Sequence, residues 1–217
     1  MAQEYVVIGL GQLGKAVALS LAGQGQSVLV IDEKEDSIRE IAGEVDAAVA
    51  ADSTDERVLR ELGVPTMSCA VVAIGQDSLE ASIMTTAVLR QLGVPRIIAR
   101  AVNELHARVL RSVGAHEVLN AEQEMGHRLA LRLVQPSIKE QLELGNANLA
   151  ELSVPESFVG KTLKDLDMRN KFEVSVMAVK RGEELLANPG AAEVLRHGDI
   201  LLILGSQAAV RRMAALV

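Results

Sequence analysis

The residues best placed to do chemistry are the glycines of Gly9-Leu10-Gly11-Gln12-Leu13-Gly14 and the acid Asp32. The chemistry they suit is holding a phosphate chain and a ribose. Gly9 permits a tight turn, Gly11 lets a phosphate approach the backbone without meeting a Cβ, and Gly14 lets a following helix pack close to a strand. A helix starting just after this turn offers unpaired N–H groups and the positive end of its dipole to an anion. Asp32 follows the glycines by about 20 residues, where a carboxylate accepts hydrogen bonds from ribose hydroxyls. It would also serve as a cap for the next helix. For these residues to converge, strands must lead into and out of the turn. Tyr5–Ile8 is a short apolar run, as a strand buried on both faces should be. Lys15–Gly23 carries apolar residues at helical spacing, and Ser27–Ile31 is a β-branched-rich run ending at Asp32. The pattern predicts strand, glycine turn, helix, strand.

The alternation continues. Glu33–Glu44 reads as a charged amphipathic helix, Asp46–Ala51 as a weak strand, and Asp55–Leu62 as a helix closed by Gly63. Cys69–Ile74 is a fully apolar strand, followed by a Gln76-Asp77-Ser78 loop and helix cap. Leu79–Leu92 is a long helix stopped by Gly93-Val94-Pro95, Arg96–Ala101 a strand, and Asn103 caps a helix running to Val113. His116–Leu119 is the sixth strand. Strands alternating with helices mean parallel strands and right-handed crossovers. The fold class expected is α/β: a Rossmann-like, doubly wound, six-stranded parallel sheet. Ala121 to about Leu144 reads as one long helical pattern with Met125, Leu129, Leu133 and Val134 on an apolar stripe and a kink at Pro136. Gly145–Asn148 reads as a linker. Beyond it, strand patterns near Leu152–Pro155, Val174–Val179 and Ile200–Leu204, with helices over Lys161–Leu166 and Ser206–Leu216, make a small α+β C-terminal domain.

Composition narrows the partners. The 217 residues suffice for one large or two small domains. They are 49% hydrophobic but 1% aromatic, so the core must be built from Ala, Val, Leu and Ile. A net charge of −7 argues against a nucleic-acid partner, whose affinity comes from Lys and Arg set against phosphates. No apolar run approaches the roughly 18 residues that span a bilayer, and the start reads straight into a strand instead of a signal peptide. A soluble, cytoplasmic chain is expected. Cys69 is the one cysteine, which removes an intrachain disulfide and a cysteine zinc site. The four histidines show no metal-ligand spacing.

Beside this reading stands a resemblance covering essentially the whole chain. It is carried by VIGLGQLG (Val7–Gly14), VAIG (Val72–Gly75), VGAHEVLNAEQEMG (Val113–Gly126), VGKTLKDLDMR (Val159–Arg169) and RHGDILLILG (Arg196–Gly205). These resemble RCK (TrkA-N/TrkA-C) regulatory subunits of Trk/Ktr-type bacterial potassium uptake systems. The resemblance implies an RCK-N nucleotide-binding domain over 1–135, including the start of a crossover helix, a crossover and linker over 136–148, and an RCK-C regulatory domain over 149–217. It implies a chain without a pore that forms homodimers and then a ring, a tetramer of dimers, docked on an integral-membrane potassium transporter at the inner face of the cell membrane. ATP or ADP, and in some members NAD(H), would change the ring's shape and gate the pore.

The resemblance also implies roles for particular residues. Gly11 and Gln12 would line the phosphates and Asp32 the ribose, with Gly9, Leu13, Gly14 and Glu33 also among the nucleotide-binding residues. Asp52, Ser53 and Thr54 would lie at the adenine pocket, and Ala73, Ile74 and Gly75 would form the facing wall. Arg100 resembles a basic residue aimed at the phosphates, and Glu122 an acid near the nucleotide and a divalent cation. Simpler roles stand beside these: Asp52 in a turn, Arg100 paired with Glu104, Glu122 as a helix-start acid favoured by the dipole. The family often has Arg at the position of Gln12, which carries no charge to meet a γ-phosphate. Asp165, Asp167 and Arg169 fall where some members bind cyclic di-AMP; a charged surface loop also accounts for them. The rival class is an NAD(H)-dependent oxidoreductase, or an NAD(H)-sensing Rossmann protein unrelated to transport. The tail is short for a substrate domain and shows no acid/base constellation, so no enzymatic activity is expected. Apolar surface on the Leu79–Leu92 helix and on the helix from Ala121 predicts a homodimer that exchanges the latter between subunits.

Overall fold

The computed structural model describes residues 3–134 and 136–217, which divide into two compact units, Met1–Met125 and Gly126–Val217. The boundary expected at 135 falls on a residue outside the described ones. In the first unit the chain runs β1 (Glu4–Ile8), α1 (Gln12–Gly23), β2 (Ser27–Asp32), α2 (Glu35–Ile41), β3 (Ala47–Ala50), α3 (Glu56–Glu61), β4 (Cys69–Val72), α4 (Leu79–Gln91), β5 (Ile97–Arg100), α5 (Glu104–Val113) and β6 (Glu117–Leu119). Helix α6 (Ala121–Val134) then leads into the second unit.

The six strands form one parallel sheet in the order β3-β2-β1-β4-β5-β6. Strand side chains alternate between faces, and the core follows that period. Val7, Val28 and Val30 pack on Ala18 of α1 and on Ile38 and Ile41 of α2. Val6, Ile8, Leu29 and Ile31 pack on the opposite side with Leu59, Leu89 and Leu110 of α3, α4 and α5. The sheet is therefore wound on both faces. The chain moves outward from β1 to β3 and then returns to place β4 on the other side of β1. The switch between β1 and β4 opens a crevice at the carboxyl ends of the strands, where open α/β sheets bind ligands.

The second unit comprises β7 (Ile138–Leu144), β8 (Ala147–Ser153), α7 (Leu163–Leu166), α8 (Met168–Phe172), β9 (Val174–Arg181), β10 (Glu184–Ala187), β11 (Ile200–Gly205) and α9 (Gln207–Ala214). Its five strands are antiparallel in the order β10-β9-β11-β8-β7. Ala209, Val210 and Met213 of α9 share a core with Ala150, Leu152, Leu201 and Ile203.

Here the structure corrects the sequence reading. The helix ends at Val134, and Ile138–Leu144, expected to be helix and linker, is an edge strand. Pro136 cannot continue a helix, and Gly145, at φ +64°, turns the strand back so that Leu144 pairs with Ala147. The supposed linker is a hairpin. Strand β10, reached through Gly182 at φ +58°, is an addition to the expected elements.

Candidate nucleotide-binding site

The turn after β1 is shaped by its glycines. Gly9 sits at φ +92°, and a Cβ there would lie 2.9 Å from Ile74 N in the next strand's loop. A Cβ on Gly14 would stand 1.8 Å from Gly9 O, so only glycine lets α1 close on the turn. Gly11 is different: a Cβ there would meet nothing within 4 Å. Its lack of a side chain serves space outside the protein. Gln12, Leu13 and Gly14 form the first turn of α1, which no side chain caps and which contains no acid. The first helical bond runs from Lys15 N–H to Gly11 O at 3.0 Å. By contrast α3 and α5 are capped, by Asp55 and Asn103, with acids in their first turns. The uncapped amides and dipole of α1 suit an anion.

Asp32 closes the turn from the other side. Its Oδ2 accepts from Leu10 N–H at 2.6 Å and its Oδ1 from Lys34 N–H at 2.8 Å. The N-cap of α2 is Lys34 and makes no side-chain cap bond, so Asp32 braces the glycine turn and does not cap a helix. Each carboxylate oxygen still has a lone pair for a further donor.

Between these groups lies a cleft of about 240 Å³. Of the residues expected at the site, Gly9, Gly11, Asp32, Glu33, Ser53, Ala73, Ile74 and Gly75 line it. Gln12, Leu13, Gly14, Asp52, Thr54, Arg100 and Glu122 are not among its lining residues. Asp52 Oδ1 accepts from Thr54 N–H at 2.8 Å and from Thr54 Oγ1 at 2.7 Å, closing a local turn. Ser53 is buried, with its hydroxyl 2.8 Å from that of Thr85 on α4. Lys34, Ser37, Asp77 and Ser78 also line the cleft, and sequence reasoning missed them. The signal was available: loops leaving adjacent strands at the switch point border the crevice, but the site was read only as far as the strand ends. Ser78 stands at the N-cap of α4 without the side-chain cap bond expected of its loop.

Arg100, the last residue of β5, pairs with Glu122 on the first turn of α6, not with Glu104. The guanidinium holds the Glu122 carboxyl below the ordinary carboxylate range. Its Nη1 would be 3.8 Å from a Cβ on Gly75, a residue of the cleft lining. Among the described residues no group of three His, Cys, Asp or Glu is arranged to hold a metal ion. Glu122, the residue expected beside a divalent cation, is paired with the Arg100 guanidinium in this structure.

In the second unit, Asp165 forms a capping box with Thr162, whose hydroxyl holds its carboxyl below the ordinary range. Asp167 sits at φ 47° and accepts from Asn170 Nδ2 at 2.8 Å. Both acids are thus committed to local turns. His197 Nδ1 lies 2.6 Å from Glu156 Oε1 on the exposed surface. Among the described residues, no helix is long and apolar enough to cross a membrane.

A glycine turn on a doubly wound parallel sheet, followed by a small antiparallel α+β unit, defines a two-part Rossmann-type protein. Comparison with known proteins makes this narrower. The TrkA-N domain matches residues 5–121 and the TrkA-C domain residues 149–217. The chain belongs to the TrkA-N/TrkA-C family of Ktr and Trk potassium uptake proteins. It is 38% identical over 213 residues to Ktr system potassium uptake protein C of Bacillus subtilis, spanning 98% of this chain and 96% of that one. It is 34% identical over 206 residues to Ktr system potassium uptake protein A of Vibrio alginolyticus, spanning 94% and 93%. Among solved structures, the GsuK RCK domain matches all of this chain with a TM-score of 0.69 at 20% identity. The GsuK channel bound to NAD matches with a TM-score of 0.66, also at 20% identity and over all of this chain. The chain spans 48% of the first of those proteins and 39% of the second, and the likeness is one of fold.

Proposed function

We propose that this chain is the cytoplasmic, nucleotide-sensing gating subunit of a Ktr/Trk-type potassium transporter. The observation that carries the reading is the open space over Gly11, set between the uncapped first turn of α1 and the braced carboxylate of Asp32. Phosphates would lie on the α1 amides and the ribose at Asp32. The ligand is an adenine nucleotide, ATP or ADP as first choice and NAD(H) as second. The cleft's own side chains favour the diphosphate-bearing members of that set: Asp32, Glu33 and Asp77 line it with Lys34 as their one cation among the described lining residues. Gln12 adds no charge at the phosphate end.

The ligand acts as a signal. It shifts a subunit ring between shapes by binding one of them better, and the ring opens or closes a membrane partner docked at the inner face of the membrane. Potassium uptake by the Ktr relatives supports the identity of that partner. A homodimer built through α6, repeated as a tetramer of dimers, is the assembly we assign. Isothermal titration with ATP, ADP, NAD and NADH tests the site directly, and micromolar binding of at least one is expected. Failure of all four at millimolar concentration removes the sensing role, and steady consumption of NADH with a hydroxy acid would establish an oxidoreductase in its place.

A further inference from the structure

We infer that Ser53 reads the base of the bound nucleotide by donating its hydroxyl hydrogen to a ring nitrogen, and that Thr85 on α4 fixes the direction of that hydroxyl. This rests on the nucleotide reading above and names what selects the base in that same cleft.

Ser53 Oγ and Thr85 Oγ1 lie 2.8 Å apart, and on distance alone either could be the donor. Their surroundings decide. Thr85 is wholly buried. The next residue, Thr86, donates its hydroxyl hydrogen to Ser82 O at 2.8 Å, the back-bond open to any helical threonine. Thr85 makes no such bond, and Ser53 Oγ is the one acceptor its hydrogen has among the described residues. A buried hydroxyl hydrogen left unpaired is costly, so Thr85 donates and Ser53 accepts. The Ser53 hydrogen is then left over. Among the described residues it has no acceptor, and Ser53 lines the cleft. The pair therefore offers the cleft one hydrogen-bond donor.

Position makes the acceptor a base. Strands β1, β2 and β3 are successive neighbours in the sheet. The phosphates are assigned to the turn after β1 and the ribose to Asp32 at the end of β2. Ala50 of β3 pairs with Asp32, and Ser53 follows it by three residues. The part of a nucleotide beyond its ribose thus meets the loop after β3. Ala51, Ile31, Ile74 and Ala81 line the same cleft and give it apolar walls suited to a flat ring. Ala81 stands one helical turn before Thr85 on α4, so this face of the helix borders the cleft and braces Ser53 together. Adenine fits a lone donor, because its ring nitrogens N1, N3 and N7 carry lone pairs and no hydrogen.

The test titrates the full chain calorimetrically with ADP and with 1-deaza-, 3-deaza- and 7-deaza-ADP, in each of which one ring nitrogen is replaced by C–H. In wild type, one analogue should bind about tenfold more weakly than ADP, the loss of one good hydrogen bond. In Ser53→Ala, ADP itself should weaken by a similar factor and that analogue should fall no further, because the two changes remove the same contact. Thr85→Val keeps the shape of the side chain without its hydroxyl. It should shrink the difference between ADP and that analogue, since nothing then directs the Ser53 hydrogen. Should Ser53→Ala fail to fold, for want of an acceptor for Thr85, Ser53→Ala/Thr85→Val removes both hydroxyls at little cost in stability. ADP and the analogue should bind that double variant equally. Three analogues that bind wild type as ADP does would overturn the proposal. So would a loss that persists at full size in Ser53→Ala or in the double variant. A full-size loss in Thr85→Val would overturn the steering by Thr85. Wild type that binds neither ADP nor NAD sinks the nucleotide reading and the base contact with it, whereas wild type that binds ADP and all three analogues alike sinks the base contact alone.

Discussion

Gly11→Ala and Gly14→Ala make the same chemical change three residues apart, and the structure gives them opposite consequences. Gly14 lies inside the first turn of α1, where replacing glycine with alanine should gain about 1 kcal/mol from helix propensity. The added Cβ would stand 1.8 Å from Gly9 O and 3.1 Å from Ala73 Cβ. Both obstacles are fixed parts of the sheet crevice, so α1 or the turn must move by more than an ångström. Overpacking of that kind costs about 3 kcal/mol or more, and the net effect is a loss of at least about 2 kcal/mol. At Gly11 the backbone has φ −63° and ψ −176°, a conformation any residue adopts, and the new Cβ meets nothing. Relief of unfolded-chain entropy gains about 0.4–1 kcal/mol, and alanine at an N-cap gives back a similar amount relative to glycine. Stability should therefore stay within about 0.5 kcal/mol of wild type. Binding should not, because the methyl group occupies the space that phosphates would need. Urea denaturation followed by circular dichroism gives the two stabilities, and calorimetric titration with ADP gives the affinities. Gly11→Ala with wild-type stability and at least tenfold weaker binding is the expected result. Wild-type affinity in a well-folded Gly11→Ala would show that phosphates do not pass over this turn.

Three further outcomes are expected. Asp32→Ala leaves the Leu10 and Lys34 amides without their carboxylate acceptor and should lower stability by about 2–3 kcal/mol, besides abolishing binding; an unmoved urea midpoint would contradict the brace. Acid should act in two stages, read by circular dichroism against pH. Burial holds His106 below its ordinary 6.5, so the unfolded chain takes up that proton first and stability declines as pH falls below about 6.5; His106→Gln should remove this stage. Arg181 holds Asp199 below its ordinary 3.8, so that contribution is complete above this value and lost as pH falls through the lower folded value; Asp199→Asn should flatten this second stage. Finally, Leu129 and Leu133 are 54% and 72% exposed on α6. Replacing both with Glu should reduce the mass seen by light scattering, and a wild-type chain that scatters as a monomer at high concentration would deny the stripe a partner of its own kind.

What could be read from the sequence, and what could not, follows from the range of the forces involved. The parallel sheet was legible because the inner strands β1, β2, β4 and β5 are apolar runs with buried residues and helices are stopped by glycine or proline, as at Gly63 and Gly114, both left-handed in the structure. Those signals are local. Strand β7 was not legible because Ile138 and Leu142 are four apart, a spacing that fits a helix turn and an alternating strand equally well. Only the pairing with β8, a tertiary fact, decides between them. Strand β10 is exposed along its whole length and so left no burial pattern to read. The site divides in the same way. The glycines were legible because what they supply is the absence of a side chain. Asp32 was legible by its interval, yet its two backbone partners were not, since they depend on how the turn folds back. Arg100 and Glu122 were each singled out as groups aimed at a ligand, and the structure turns them toward one another. Twenty-two positions separate them, and no spacing rule relates the end of β5 to the start of α6.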